Sequence, residues 1–479
     1  MYVHILHNTA LTVDWWDVAA RVTIDMLPDV ALLEIFDFFL GEGRNVDGYE
    51  TEAWFTLVHV CQKWRDVVFG SPRRLDLQLY CTASSPVREM LDIWPPLPVI
   101  VCAKDYTTWG MDNIIAVLEH TERITQLNLD NMSSLLIDEV LLAVQAPFLA
   151  LTRLVLRRSR DGKAAIVPTS FLGGSAPCLQ ILHLDGIPVP GLPKLLLSAT
   201  HLVQLYLLRI PHSGYISPEA IATCLSVLTR LESLRIKFES PRSRPERKGR
   251  RPPPQTRILL PVLVELRFQG VSEYLEDLVA QIDTPLLDML TIHFFHQLIF
   301  DTPQLTQFIS RTPNLREPYD AAVYFSSWDA LVVIFGLDGQ LQLGTICSQS
   351  DWQLSSVVQF FSLSLLPALN RASEDFCIIE NRSHRPRWQD DIESSQWLEL
   401  LQSMTAVKAL RISWEFVPRI APTLQELVGE RTTEVLPAMR DLFLEELLPP
   451  GLDTIRQFTA ARRLAGHPIC TFRWKRMDV

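Results

Sequence analysis

The sequence has no C-x-x-C pair. Its eight cysteines stand apart, which excludes the common zinc and dithiol signatures and reads as reduced, mostly buried thiols of a cytoplasmic or nuclear protein. No apolar run reaches the roughly 20 residues a spanning helix needs, and even 352–369 is broken by Gln and Ser. The first 21 residues lack a basic n-region and carry Asp14 and Asp17, so they make a poor signal peptide. No membrane association is expected. A basic surplus is also missing. Lys and Arg number 44 against 55 Asp and Glu, a net charge of −11, which argues against a protein built to coat nucleic acid or anionic lipid.

Catalytic signatures are absent too. There is no G-x-S-x-G, no Gly-rich phosphate loop and no H-E-x-x-H. His293 and His296 have the spacing of one helix face, but they follow an expected strand and have no third ligand nearby, so a structural role is expected. Glu445-Glu446 and Asp390-Asp391 read as surface charge. Neither a catalytic residue nor a cofactor nor a metal site is expected. An apolar content of 48% with 21% charge describes a folded chain, long enough for more than one domain.

What the sequence does contain is a repeat. An apolar-x-x-Leu-x-apolar pattern recurs at Ile124/Leu127/Leu129, Leu151/Leu154/Leu156, Leu179/Leu182/Leu184, Leu202/Leu205/Leu207 and Leu231/Leu234/Ile236. It continues at Leu263/Leu266/Phe268, Leu287/Leu290/Ile292, Val407/Leu410/Ile412 and Met439/Leu442/Leu444. The first seven copies are 27, 28, 23, 29, 32 and 24 residues apart, near the period of roughly 20–29 residues typical of leucine-rich repeats. In a short strand L-x-L buries two side chains and exposes the one between. Helical stretches such as 114–120, 218–229, 274–282 and 305–311 lie between the strands. Each strand–helix unit leaves an apolar face that only a neighbour covers, so stacked units form a curved α/β solenoid. The 120-residue step from Leu287 to Val407 has room for about four units. Weak copies there are Leu315, Leu341/Ile346 and Phe376/Ile378, and Leu97/Ile100/Cys102 is a plausible early one, for roughly 12 units in all. Leu75/Leu77/Leu79 alternates like a joining strand. The usual Asn ladder is mostly missing, which argues for irregular repeats.

Residues flanking the inward leucines point to the opposite face. They are Arg157, His183 and Asp185, Tyr206, Arg235 and Lys237, and Arg267. A protein target is expected on this face. The Arg235/Lys237/Arg267 group favours an acidic segment, unless these side chains only pair with Glu232, Glu239 and Glu265. An alternative site lies around Arg411, Ser413, Phe443 and Glu445. Residues 241–254 read PRSRPERKGRRPPP, with nothing apolar to bury. They are expected to be a disordered insertion, either a nuclear-localisation or anion-binding patch or a solvated excursion.

The N-terminal segment carries a second pattern, Leu27-Pro28-Asp29 leading into a helix, then Val60-Cys61-Gln62-Lys63-Trp64-Arg65. Pro28 suits a first helical turn and Asp29 meets the positive end of the helix dipole. Val30, Leu33, Phe36 and Leu40 make one stripe at helical spacing, and Leu32, Ile35 and Phe39 make another. A second helix is expected over 54–69. This segment resembles an F-box, the helical module that ties a substrate receptor to a cullin-based ubiquitin ligase. The stretch 41–53 departs from the family pattern, being longer and more acidic than the usual connection.

With the repeats, the chain is similar to F-box/leucine-rich-repeat proteins of the irregular fungal type. The resemblance implies a helical F-box-like module over 22–72 and a leucine-rich-repeat solenoid over 73–479. It implies a substrate receptor of an SCF-type ubiquitin ligase, docking the adaptor subunit and through it a cullin. Leu27, Pro28, Leu32, Ile35, Val60 and Trp64 would carry that contact. Two rivals remain: a repeat scaffold that recruits no ligase, and an enzyme whose site hides in 319–387, where the repeat is weakest.

Overall fold

The computed structural model describes residues 24–42, 53–104, 110–159, 170–188, 191–245, 256–296, 302–316, 318–362, 374–381, 384–385, 394–428, 431, 433–445 and 451–474. Its backbone is a 16-stranded sheet. The strands are β1 (Leu79–Cys81), β2 (Val99–Lys104), β3 (Ile124–Met132), β4 (Arg153–Arg158), β5 (Ile181–Asp185), β6 (Gln204–Ile210) and β7 (Ser233–Phe238). There follow β8 (Ile258–Leu259), β9 (Glu265–Gly270), β10 (Ile282–Asp283), β11 (Met289–Phe295), β12 (Pro318–Phe325), β13 (Asp329–Gly336) and β14 (Gln340–Ile346). The last are β15 (Asp375–Glu380), β16 (Ala409–Ile412), β17 (Asp441–Glu445) and β18 (Cys470–Trp474). The order is β1 to β7, then β9, β11, β14, β13, β12 and β15 to β18, with β8 and β10 paired separately.

Successive parallel strands that are also neighbours, joined mostly by helical crossovers, are the geometry of a leucine-rich-repeat solenoid. All nine clear copies of the repeat fall on these strands: the leucines of the first seven, Leu127, Leu154, Leu182, Leu205, Leu234, Leu266 and Leu290, form one continuous row, and Leu410 and Leu442 of the last two pair with each other. These leucines are buried. Helices such as Pro218–Leu225 and Ser272–Val279 cover them, the latter placing the fully buried Tyr274 against Phe238 at 4.7 Å between ring centres.

Two repeat assignments change. Between β2 and β3 the register shifts at an extra residue of β3, Thr125, opposite the Val99–Ile100 step, and Val101 and Ala103, not Ile100 and Cys102, align with Leu127 and Leu129. The 120-residue step does not hold four ordinary units. Leu315 sits in a short 3-10 turn, and β12, β13 and β14 form a meander laid back toward β11. β13 is antiparallel to both neighbours, while β14 runs parallel to β11 and β12 parallel to β15. The cause is connection length. Three residues link β12 to β13 and three link β13 to β14, too few for the crossover of a dozen or more that parallel strands need. Gly339 lets the second turn close, because a Cβ there would stand 2.6 Å from the carbonyl oxygen of Asn314.

At the N-terminus lie α1 (Asp29–Glu42), α2 (Ala53–Val58) and α3 (Gln62–Gly70). The single helix expected over 54–69 is therefore two. Val58, His59, Val60 and Cys61 are poor helix formers, and Cys61 is extended, at φ −159°. Residues 43–52 lie outside the described residues. Leu32, Phe36, Leu57, Val58 and Val68 join the same apolar cluster as Leu75, Leu77 and Leu79. Trp94 anchors the helices to the first repeats, packing 4.8 Å from Phe55 and 5.4 Å from Trp54. The Trp54 indole N–H donates to the carbonyl of Gln78 at 3.1 Å.

Most of the basic insertion, 246–254, lies outside the described residues. Its start is packed: Ser243 is buried and Arg244 lies 3.9 Å from Glu273.

Candidate functional sites

Two surfaces merit attention, the face of the sheet opposite the leucines and the outer side of α1.

On the sheet, alternation places Asn128, Val155, His183, Tyr206, Arg235, Arg267, Thr291 and Gln342 in one continuous row across eight strands. Arg157, Lys237 and Gln269 occupy the next row, toward the strand ends. All six residues expected to contact a target thus share one face.

Their chemistry is more internally satisfied than alternation alone suggests. Arg157 pairs with Asp130 at 3.0 Å and donates to His183 Nδ1 at 3.3 Å. A guanidinium only donates, so Nδ1 accepts and the ring proton sits on Nε2, which is buried and has no hydrogen-bond partner among the described residues. Burial, reinforced by Arg157, pushes the His183 pKa down to about 4, so the ring is neutral at physiological pH. His183 meets Tyr206 edge-on at 5.5 Å, and the Arg235 guanidinium lies 4.3 Å over the Tyr206 ring. Arg235 forks onto both oxygens of Glu265 at 3.0 Å, and Arg267 pairs with the same carboxylate. Burial raises the Glu265 pKa, but hydrogen bonds from Ser233 and Arg235 and the nearby guanidiniums outweigh it, so the net shift is downward and the carboxylate stays charged. Arg267 also reaches Met289 Sδ at 3.4 Å. Lys237 makes no such pair among the described residues. Burial, then Arg267 and Arg235, lowers its pKa. His293 stands in β11 on this face and His296 just past its end.

At the other end of the sheet Arg411 bonds Asp375 at 3.1 Å and lies 4.9 Å from the Phe443 ring, which stacks on Phe472 at 5.1 Å. In the rival 319–387 region, Asp320 lies directly across from Asp375 in the parallel pairing. Burial and Asp375 raise the Asp320 pKa.

The α1 surface has a different character. Leu32, Leu33 and Phe36 turn inward, Leu32 with 0% exposure. Around the other side stand Val30, Ile35, Phe38 and Phe39, exposed by 65, 46, 68 and 44%. At 100° per residue these four span the arc opposite the buried three. The two-stripe reading therefore needs correction: the inner stripe is Leu32, Leu33 and Phe36, and the outer one is Val30, Ile35, Phe38 and Phe39.

The six residues expected to dock an adaptor divide evenly. Pro28, Ile35 and Val60 are on the surface. Leu32 belongs to the core, because Leu32 and Phe36 are the side chains that close α1 onto its neighbours. Leu27 is half-buried against that core, and its carbonyl accepts from the Lys63 ammonium at 2.8 Å. Trp64 is half-buried, 4.8 Å from Phe36. Phe38, which belongs to neither stripe of the sequence pattern, is exposed beside Phe39 on the outer side.

No protein-family model matches the chain, and no curated protein matches it. Among solved structures it is similar to a leucine-rich-repeat-containing protein, LegL7 of Legionella pneumophila. That similarity is at 13% identity with a TM-score of 0.27, over 80% of this chain and 98% of that one. Among the described residues no helix is long and apolar enough to cross a membrane.

Proposed function

We propose that this chain is a non-catalytic receptor of an SCF-type ubiquitin ligase. The face opposite the leucines holds a protein target, and the outer side of α1 docks the adaptor that leads to a cullin. The leucine-rich-repeat architecture suggests protein binding, since stacked strands present a long, rigid row of side chains. The observation that carries the ligase part is the two-sided apolar character of α1. Its inner side is used by the fold, while Val30, Ile35, Phe38 and Phe39 stay in water, next to Pro28 of the Leu-Pro pair. A short helix that is apolar on both sides is normally covered on both.

One observation favours the rival scaffold reading. Leu32 and Trp64, two side chains of the F-box-like pattern, are spent on the core. The test is co-purification of the SCF adaptor with the full chain carrying Ile35→Glu and Phe38→Glu. Loss of adaptor with an unchanged melting profile supports the receptor. Retention of adaptor, or no adaptor bound by the parent chain, overturns it. A chain that instead dimerises, with the dimer lost in the same variant, assigns this side of α1 to a second copy.

A further inference from the structure

On β7 and β9 of the target-binding face, three cations surround one carboxylate. Arg235 and Arg267 are direct cross-strand neighbours, and Lys237 pairs with Gln269 one row along. Glu265 serves both arginines. One carboxylate neutralises one charge, so a surplus of two remains. Nearby acids do not remove it. Asp185 is paired with Arg209 and Asp130 with Arg157, and Glu232 and Glu239 are exposed at the two ends of β7 and form no ion pair with these cations among the described residues.

The arginines are held in place. The Tyr206 ring lies under Arg235, and Glu265 grips both guanidiniums. Their planar forks, the groups best suited to a phosphoryl group, are therefore already occupied by a carboxylate of the chain itself. What remains is the half-buried ammonium of Lys237, which is a point charge with three rotatable donors. Positive neighbours in a partly dehydrated setting raise the attraction for any incoming anion.

We propose that Lys237, backed by Arg235 and Arg267, seats a carboxylate side chain from an aspartate- or glutamate-rich segment of the target. Glu265 is the built-in carboxylate that sets the arginines and limits the strength of the site. This rests on the reading of the face as a target surface, and it names the target's chemistry.

The experiment is fluorescence anisotropy on the full chain with a labelled decaglutamate peptide, with decaglutamine as control. Decaglutamate binds, decaglutamine does not, and binding weakens as salt is raised. Lys237→Gln weakens decaglutamate by about fivefold or more, while Lys237→Arg keeps most of it. Glu265→Gln, which raises the surplus to three, tightens it. Equal binding of both peptides, or an unaltered affinity in Lys237→Gln, overturns the proposal. A phosphoserine decapeptide that binds where decaglutamate fails also overturns it, in favour of a phosphoryl ligand. Target capture in cells separates the two levels. Capture that survives Lys237→Gln overturns the acidic seat alone. Capture that also survives Tyr206→Ala with Thr291→Lys overturns the target-face reading beneath it.

Discussion

Glu276 offers a test of how one repeat is fastened to the next. It sits in the helix Ser272–Val279 and is buried. Its carboxylate accepts the backbone N–H of Gln304 at 3.0 Å and of Leu305 at 2.7 Å. These are the second and third residues of the next helix, Pro303–Arg311, whose own N-cap Thr302 makes no side-chain cap bond. Glu276 therefore does from a neighbouring repeat what an N-cap side chain does locally, and it adds a negative charge at the positive helix end.

Replacing it by Leu leaves both N–H groups without an acceptor. The buried one at Leu305 costs about 1–3 kcal/mol, the part-buried one at Gln304 less, and the lost charge–dipole attraction about 0.5–1 kcal/mol. Relief from burying a carboxylate offsets part of this, for a net of about 2.5 kcal/mol. Repeat arrays open locally, so the loss should appear at 302–311. Amide hydrogen exchange there should speed up by roughly 60-fold in Glu276→Leu and by less in Glu276→Gln, which keeps one acceptor. Exchange in Glu276→Leu within about threefold of the parent would refute the inter-repeat cap.

Other consequences are as direct. His183 is neutral in the folded chain, its pKa pushed down to about 4, whereas an unfolded histidine titrates near 6.5. The unfolded state therefore binds the extra proton first, and this contribution is full above about pH 6.5 and is lost as pH falls toward 4. Urea midpoints at about pH 7 and about pH 4.5 should drop further for the parent than for His183→Gln, and parallel drops would contradict the assignment. Gly339→Ala would push a methyl against the carbonyl oxygens of Asn314 and Asp288, at 2.6 and 2.9 Å. It should cost about 1–3 kcal/mol and raise hydrogen exchange in β13 and β14. An unchanged midpoint would mean the turn simply moves aside.

The sequence made some levels of this structure readable and hid others. L-x-L alternation is a local signal, and it located the strands and sorted Arg235, Lys237 and Arg267 onto one face. Partnership between strands is not local. In β13, Val332, Val333 and Ile334 are all buried, so no alternation marks the strand as the reversed member of a meander. The short Ser-Ser-Trp and Leu-Asp-Gly turns were the available clue. The extra residue Thr125 in β3 moved a register that leucine spacing cannot specify. Glu265 illustrates the remaining gap. Its position on β9 was legible, and pairing was foreseen as an alternative, but one carboxylate shared by two arginines depends on side-chain geometry across strands. At the N-terminus, helical periodicity revealed that α1 has two apolar sides without deciding which one the fold keeps. Leu32 went inward and Phe38 outward because the neighbours that close on α1 are α2 and α3.

Adaptor docking is decided on that outer side of α1. The direct measurement is calorimetric titration of the purified SCF adaptor into the full chain, for the parent and for Phe38→Ala with Ile35→Ala, with circular dichroism melts as the folding control. Apolar anchors at the centre of an interface cost about 2 kcal/mol or more when truncated. Saturable binding by the parent is expected, with at least a roughly 30-fold loss in the variant at unchanged stability. Binding of equal strength in both, or no heat of binding in either, would contradict it.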